Sequence, residues 1–98
     1  MTIEKTTNGT ELTIALSGRL DTTTAPELEK ELKGSTDGVE RLVLDFSNLE
    51  YLSSAGLRVL LSAHKAMQSR GGMKVTHVNE LVAEVFEVTG FSDILNIE

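Results

Sequence analysis

The chain has 98 residues, 40% of them apolar and 24% charged, which is the balance of one ordinary globular domain over residues 1–98 rather than of two domains or a disordered tail. A net charge of −6 leaves no basic patch for nucleic acid and disfavours anionic membrane surfaces, so the expected partner is a basic or neutral protein surface, with no direct nucleic-acid and no membrane contact. The absence of cysteine excludes disulfides, zinc–thiolate sites and thiol nucleophiles; no apolar run approaches the ~18 residues of a membrane span and no signal-peptide core is present, so a cytoplasmic location is expected.

With three Phe, one Tyr and no Trp, the core must be mostly aliphatic. Ile3 to Thr7 reads as a short polar strand, and Asn8-Gly9 is a preferred tight-turn dipeptide. Leu12, Ile14 and Leu16 alternate with polar residues as a half-buried strand requires, so the first two strands should pair antiparallel. Gly18 to Asp21 leaves that strand. Thr24-Ala25-Pro26-Glu27 reads as a capping box with proline in the first turn. Leu28 and Leu32 mark the buried face of this first helix, and Gly34 is its expected stop.

Arg41 to Phe46 is continuously apolar in its centre, which predicts a strand covered on both faces. A second helix is predicted from Leu57 to about Arg70, with Leu57, Leu60, Leu61, His64 and Met67 on one face and Arg58, Ser62, Lys65 and Ser69 on another. Gly71-Gly72 is its expected stop. Met73 and Val75, extended to His77, alternate as a further strand. Asn79 is a plausible cap for a third helix with Leu81, Val82, Val85 and Phe86 on its apolar side and Gly90 as its C-terminal residue. Ile94, Leu95 and Ile97 close the chain. Strands separated by helices run mostly parallel. The fold class is therefore α/β, a small mixed sheet of four to five strands with helices packed against it.

The most informative stretch is Ser53-Ser54-Ala55-Gly56-Leu57, where a strand hands over to a helix. A helix N-terminus has free N–H groups and the positive end of the dipole. A serine there can cap the helix or carry a phosphate without breaking the fold, and either serine could be the cap. A hydrolase is disfavoured. Leu52 stands where a nucleophile elbow needs its first glycine. His64 lies ten residues down the same helix, about 15 Å from Ser54 at 1.5 Å per residue. Two lone histidines make a poor metal site, so neither a metal nor a cofactor is expected. Ser69 to Lys74 lacks phosphate-loop spacing and reads as a helix stop. Asp21, beside Thr22, Thr23 and Thr24, becomes a site residue only if the sheet sets its loop beside the serines. Asp45 reads as structural.

Leu44 to Leu61, centred on Ser-Ser-Ala-Gly-Leu, resembles the STAS domain of bacterial anti-sigma factor antagonists. Gly18-Arg19-Leu20-Asp21, Gly71-Gly72 and Val88-Thr89-Gly90-Phe91 are similar to the same family, so the likeness covers nearly the whole chain. The resemblance implies partner switching. An unphosphorylated antagonist binds an anti-sigma factor that is also a serine kinase, and a sigma factor is released. The kinase phosphorylates a serine at the start of the second helix, and a PP2C-type phosphatase resets the switch. Aligning Gly56-Leu57 places the phosphoacceptor on Ser54, with Ser53 where the family often has Asp and Ala55 where it has a second hydroxyl. The partner surface expected around it comprises Asp21, Thr22, Ser53, Gly56, Arg58 and Ser62, with Gly56 letting a partner's backbone approach. The family also implies alternatives: a scaffold or accessory subunit without phosphotransfer, for example of a lipid transporter, or a nucleotide-binding STAS module.

Overall fold

Two-residue alternation decides which side of the sheet is covered. In β2 (Glu11–Leu20), Leu12, Ile14 and Leu16 are buried, while Glu11, Thr13 and Ala15 are half-exposed. The computed structural model describes residues 1–98. It continues this inner face through β1 (Thr2–Asn8), β3 (Arg41–Leu52), β4 (Met73–Thr76) and β5 (Asn96–Ile97), in the spatial order β1-β2-β3-β4-β5. β1 and β2 are antiparallel, and the other neighbours pair parallel. Each parallel connection carries a helix: α1 (Ala25–Ser35), α2 (Ser54–Met67) and α3 (Glu80–Thr89). The mixed sheet with helices against it is the architecture expected of the sequence.

The inner residues of the sheet meet Leu28 and Leu32 of α1, Leu57, Leu60 and Met67 of α2, and Val82 and Phe86 of α3 in one cluster of 23 buried residues. Phe46 and Phe86 stack with ring centroids 6.4 Å apart, joining α3 to β3. Lys5 shares the inner side with Ile14 by register and reaches across to Glu31 of α1 at 2.8 Å. All three helices thus cover one face, and the other face is open.

That arrangement corrects the expectation that β3 is covered on both sides. Val43 lies on the open face and outside the core cluster. It is sheltered there by its register partners, Thr13 and Lys74, rather than by a helix.

Element boundaries differ where long-range bonds compete with local signals. β3 runs on through Ser47-Asn48 to Leu52 because it carries two extra residues against β2. Ala15 and Ser17 pair with Asp45 and Asn48, and Gly18 and Arg19 with Leu49 and Tyr51. Such bulges strand a backbone donor. Here the Ser47 N–H donates to Asp45 Oδ1 at 3.0 Å, and Gly18 takes φ 96°, a left-handed angle that suits glycine. The predicted capping box at Thr24 does not form. The Thr24 hydroxyl turns back and donates to the Arg19 carbonyl at 2.7 Å. α1 also passes through Gly34 to Ser35.

α2 begins three residues before Leu57 and ends at Met67 rather than Arg70. Beyond it, the Arg70 guanidinium donates to the Thr36 and Val39 carbonyls, and the Gly71 N–H donates to the Glu40 carbonyl. The Ser69–Lys74 turn is thus held by the loop before β3. β4 stops at Thr76, and His77 leaves it at φ 58°. Asn79 caps α3 as expected, accepting from Val82 N–H at 2.8 Å, and Gly90 is left-handed at φ 82°. Leu81, however, is exposed rather than on the buried side.

Phe86→Ala should cost about 3–5 kcal/mol, the range for emptying an aromatic site in a core. Val88→Ala on the same helix should change stability by no more than about 0.5 kcal/mol. Urea unfolding followed by circular dichroism measures both, and equal losses would contradict this packing.

Candidate functional site

β2 and β3 end side by side, with Leu20 paired to Leu52. The Ser53 N–H continues that pairing by donating to the Leu20 carbonyl at 2.9 Å. The two loops that follow, Asp21–Thr24 and Ser53–Ser54, therefore open at one edge of the sheet. This is the juxtaposition on which a role for Asp21 depends.

The structure separates the two serines. Ser53 is extended, at φ −101° and ψ 174°, and its Oγ accepts from Gly56 N–H at 3.5 Å. Ser53 is the N-cap. Ser54 is the first helical residue and exposed, and it takes part in none of the side-chain hydrogen bonds. The first N–H groups of a helix have no intrahelical acceptor. With Gly56 served by Ser53, those of Ser54 and Ala55 remain beside the free hydroxyl. The first turn of α2 has no acidic residue, whereas those of α1 and α3 carry Glu27 and Glu80. The positive end of the α2 dipole is therefore not offset by a carboxylate of its own.

Arg58 follows Ser54 by four residues, which puts both on one face of α2, and Arg58 is exposed. Thr22 and Arg58 line one shallow concavity between α1 and α2, with Ala55 and Pro26 beside them. Ser62 is a further turn along, about 12 Å from Ser54 at 1.5 Å per residue. It lines a neighbouring cleft with Glu29 and Lys33.

Gly56 is placed differently from expectation. It is buried, and a Cβ there would lie 2.7 Å from Leu20 Cγ and 2.7 Å from Leu52 Cδ1. The close approach that requires glycine is that of α2 to the strand ends beneath it, not that of a partner. Gly56 is thus a packing residue and not part of the accessible surface.

Asp21 is the organiser of its loop. Its Oδ1 accepts from Thr23 N–H at 3.0 Å and from Thr24 N–H at 3.1 Å, while Asp21 N–H donates to Thr24 Oγ1 at 2.9 Å. The Thr24 N–H, followed by that of Thr23, holds the Asp21 carboxyl below its ordinary value of 3.8. Asp45 is also lowered, first by the Ser47 N–H, then by the Ser47 side chain and by the neighbouring His77, whose Nδ1 lies 3.2 Å from Asp45 Oδ1.

The sequence reading missed Arg19 as a neighbour of this edge. Its guanidinium lies 4.1 Å above the Tyr51 ring, and its Nε is 3.7 Å from Asp21 Oδ2. Arg19 and Tyr51 are register partners across the second bulge. Only the full length of both strands could have brought them together.

Residues 3–96 match the family described as Mlab, STAS domain, and the chain belongs to the STAS domain family. It is 41% identical over 88 residues to a Bordetella bronchiseptica protein named as an anti-sigma factor antagonist, BtrV, covering 88% of this chain and 76% of that one. An anti-sigma factor antagonist from Mycobacterium paratuberculosis superposes with a TM-score of 0.89 at 25% identity, over 98% of this chain and 83% of that one. The fold is also that of SpoIIAA in its unphosphorylated form, with a TM-score of 0.84 at 16% identity, over 99% of this chain and 88% of that one. SpoIIAA of Bacillus in its phosphorylated form gives 0.76 at 15% identity, over 99% and 91%. No helix is long and apolar enough to cross a membrane.

Ser53→Ala should cost about 1 kcal/mol through loss of the cap, and Ser54→Ala no more than about 0.5 kcal/mol; urea unfolding that reverses this order would overturn the assignment of the cap. A second expectation concerns Asp21. A carboxyl with a lowered folded value stabilises the loop fully above its unfolded value near 3.8 and loses that contribution as pH falls through the lowered one. Carbon-detected NMR titration should find Asp21 titrating below 3.8, and titration at or above that value would contradict the hydrogen-bonded loop.

Proposed function

We propose that this chain is an anti-sigma factor antagonist that works by partner switching. In its bare form it binds an anti-sigma factor that is also a serine kinase, and a sigma factor is freed. The kinase transfers the γ-phosphoryl group of ATP to Ser54 Oγ and releases ADP, and the modified antagonist lets go. A PP2C-type phosphatase hydrolyses the ester and resets the system. The observation that carries this reading is the exposed, unengaged Ser54 hydroxyl at the first position of α2, with Ser53 already serving as the cap. The names of the relatives point to the same class of partner. SpoIIAA, which shares this fold, is known in phosphorylated and unphosphorylated forms.

The fold tolerates the ester because the helix dipole and Arg58 favour an anion at Ser54. The partner surface does not. A phosphoserine adds about −1.5 to −2 charge, and burying it without dedicated donors costs several kcal/mol. The binding footprint in this reading is Asp21, Thr22, Ser53, Ser54, Arg58 and Ser62, with Arg19 as a further member beside Asp21. Ser53, where the family often has Asp, supplies the capping oxygen without a charge.

Incubating the protein with ATP and the kinase encoded beside its gene should label Ser54 alone, as mapped by mass spectrometry, and Ser54→Ala should take up no phosphate. Label elsewhere in Ser54→Ala would end the assignment. No label on the wild-type chain would favour the scaffold reading.

A further inference from the structure

α3 is apolar on two faces, and only one of them is used. Val82 and Phe86 enter the core. Leu81 and Val88 stand on the outside of the same helix, and Val85, partly buried against the core, joins them at spacings of four and three into a second stripe that runs from the core margin to solvent. Leu81 is 51% exposed and Val88 80%; the remaining large exposed hydrophobic residue is Ile94. The stripe bounds a shallow concavity whose lining comes from α3 alone, including Glu84 and Thr89.

One margin of the stripe carries Glu84, with further charge of the same sign round the helix beyond it. α3 has the sequence ELVAEVFEVT, with no Lys or Arg. Glu80, Glu84 and Glu87 are exposed, and none of them joins the ion pairs of the structure. This charge discriminates among occupants. A second copy related by a two-fold axis would bring Glu84 towards its own counterpart, adding like-charge repulsion between chains that each carry −6. An anionic bilayer is repelled for the same reason. A segment that is apolar along one side and cationic along its margins complements both the stripe and its edge.

We propose that the Leu81–Val85–Val88 face of α3 is a docking surface for a basic amphipathic helix of a partner protein. The partner's apolar residues would be spaced three and four apart and flanked by Lys or Arg, so that they lie along the stripe while the cations meet Glu84 and its neighbours. The stripe shares no residue with the concavities lined by Thr22, Arg58 and Ser62. The proposal therefore stands independently of phosphorylation at Ser54.

The test uses the full 15N-labelled chain and two synthetic helical peptides, one of Leu and Lys at amphipathic spacing and one with every Lys replaced by Glu. The Leu/Lys peptide should shift amides of residues 80–89 selectively, more weakly as salt rises, and the Leu/Glu peptide should shift none. Leu81→Ser and Val88→Ser, which keep the acidic edge, should each weaken binding about tenfold, and Glu84→Lys, which keeps the stripe, should do the same. Shifts scattered over the acidic surface, equal response to the two peptides, or undiminished binding by all three variants would overturn the proposal. So would self-association through residues 80–89 in sedimentation, or their binding to anionic vesicles in preference to the peptide.

Discussion

The hydrogen bond from the Ser53 N–H to the Leu20 carbonyl is the constraint on which the functional edge depends. It extends the parallel pairing of β2 and β3 by one residue past Leu52, and it fixes where the chain must turn into α2. Ser53 is held extended by that bond and so faces the helix from outside, where its hydroxyl can accept from Gly56 N–H. Ser54 follows as the first helical residue, pointed away from the sheet. The same bond keeps the Asp21 loop alongside. Position on the helix, rather than any unusual chemistry of the residue, makes Ser54 available.

The packing beneath reinforces this placement. Gly56 seats the first turn of α2 directly on Leu20 and Leu52, so the helix N-terminus has no room to settle deeper towards the sheet. In the proposed switch, an added phosphate projects outward, beside the free N–H groups and on the helix face that carries Arg58. A rigid base with an outward anion is what the proposed charge-operated interface requires: in that reading the antagonist keeps its shape, and what changes is what it presents. In the proposed switch, the affinity change comes from desolvating the ester at the partner's surface and not from refolding.

Much of this architecture is legible in the chain. The period-two pattern of Leu12 to Leu16, the Asn79 cap and Gly90 each report a local preference that the fold keeps. The failures share a cause, since each lies where a distant residue decides. Thr24 was readable as a cap, but its hydroxyl donates to the Arg19 carbonyl and its oxygen accepts from the Asp21 N–H rather than from the helix. Ser47-Asn48 looked like a strand end, but the bulge carries β3 past them because Asp45 accepts the stranded Ser47 N–H. Gly71-Gly72 looked like a helix stop, but Arg70 and Gly71 belong to a turn tied to the loop before β3. Gly56 was readable as an opening for a partner, and no local signal says that Leu20 and Leu52 already fill the space beneath it. At Ser53 and Ser54 the sequence offered two hydroxyls and two roles, and only the backbone angles assign them.

Isothermal titration of the anti-sigma factor kinase with the bare and the Ser54-phosphorylated protein tests the central claim most directly. At about 1.4 kcal/mol for each tenfold change, a desolvation cost of several kcal/mol predicts that the phosphorylated form binds some hundreds-fold more weakly, with its circular dichroism spectrum unchanged. Equal affinity of the two forms, or a loss accompanied by unfolding of α2, would contradict it.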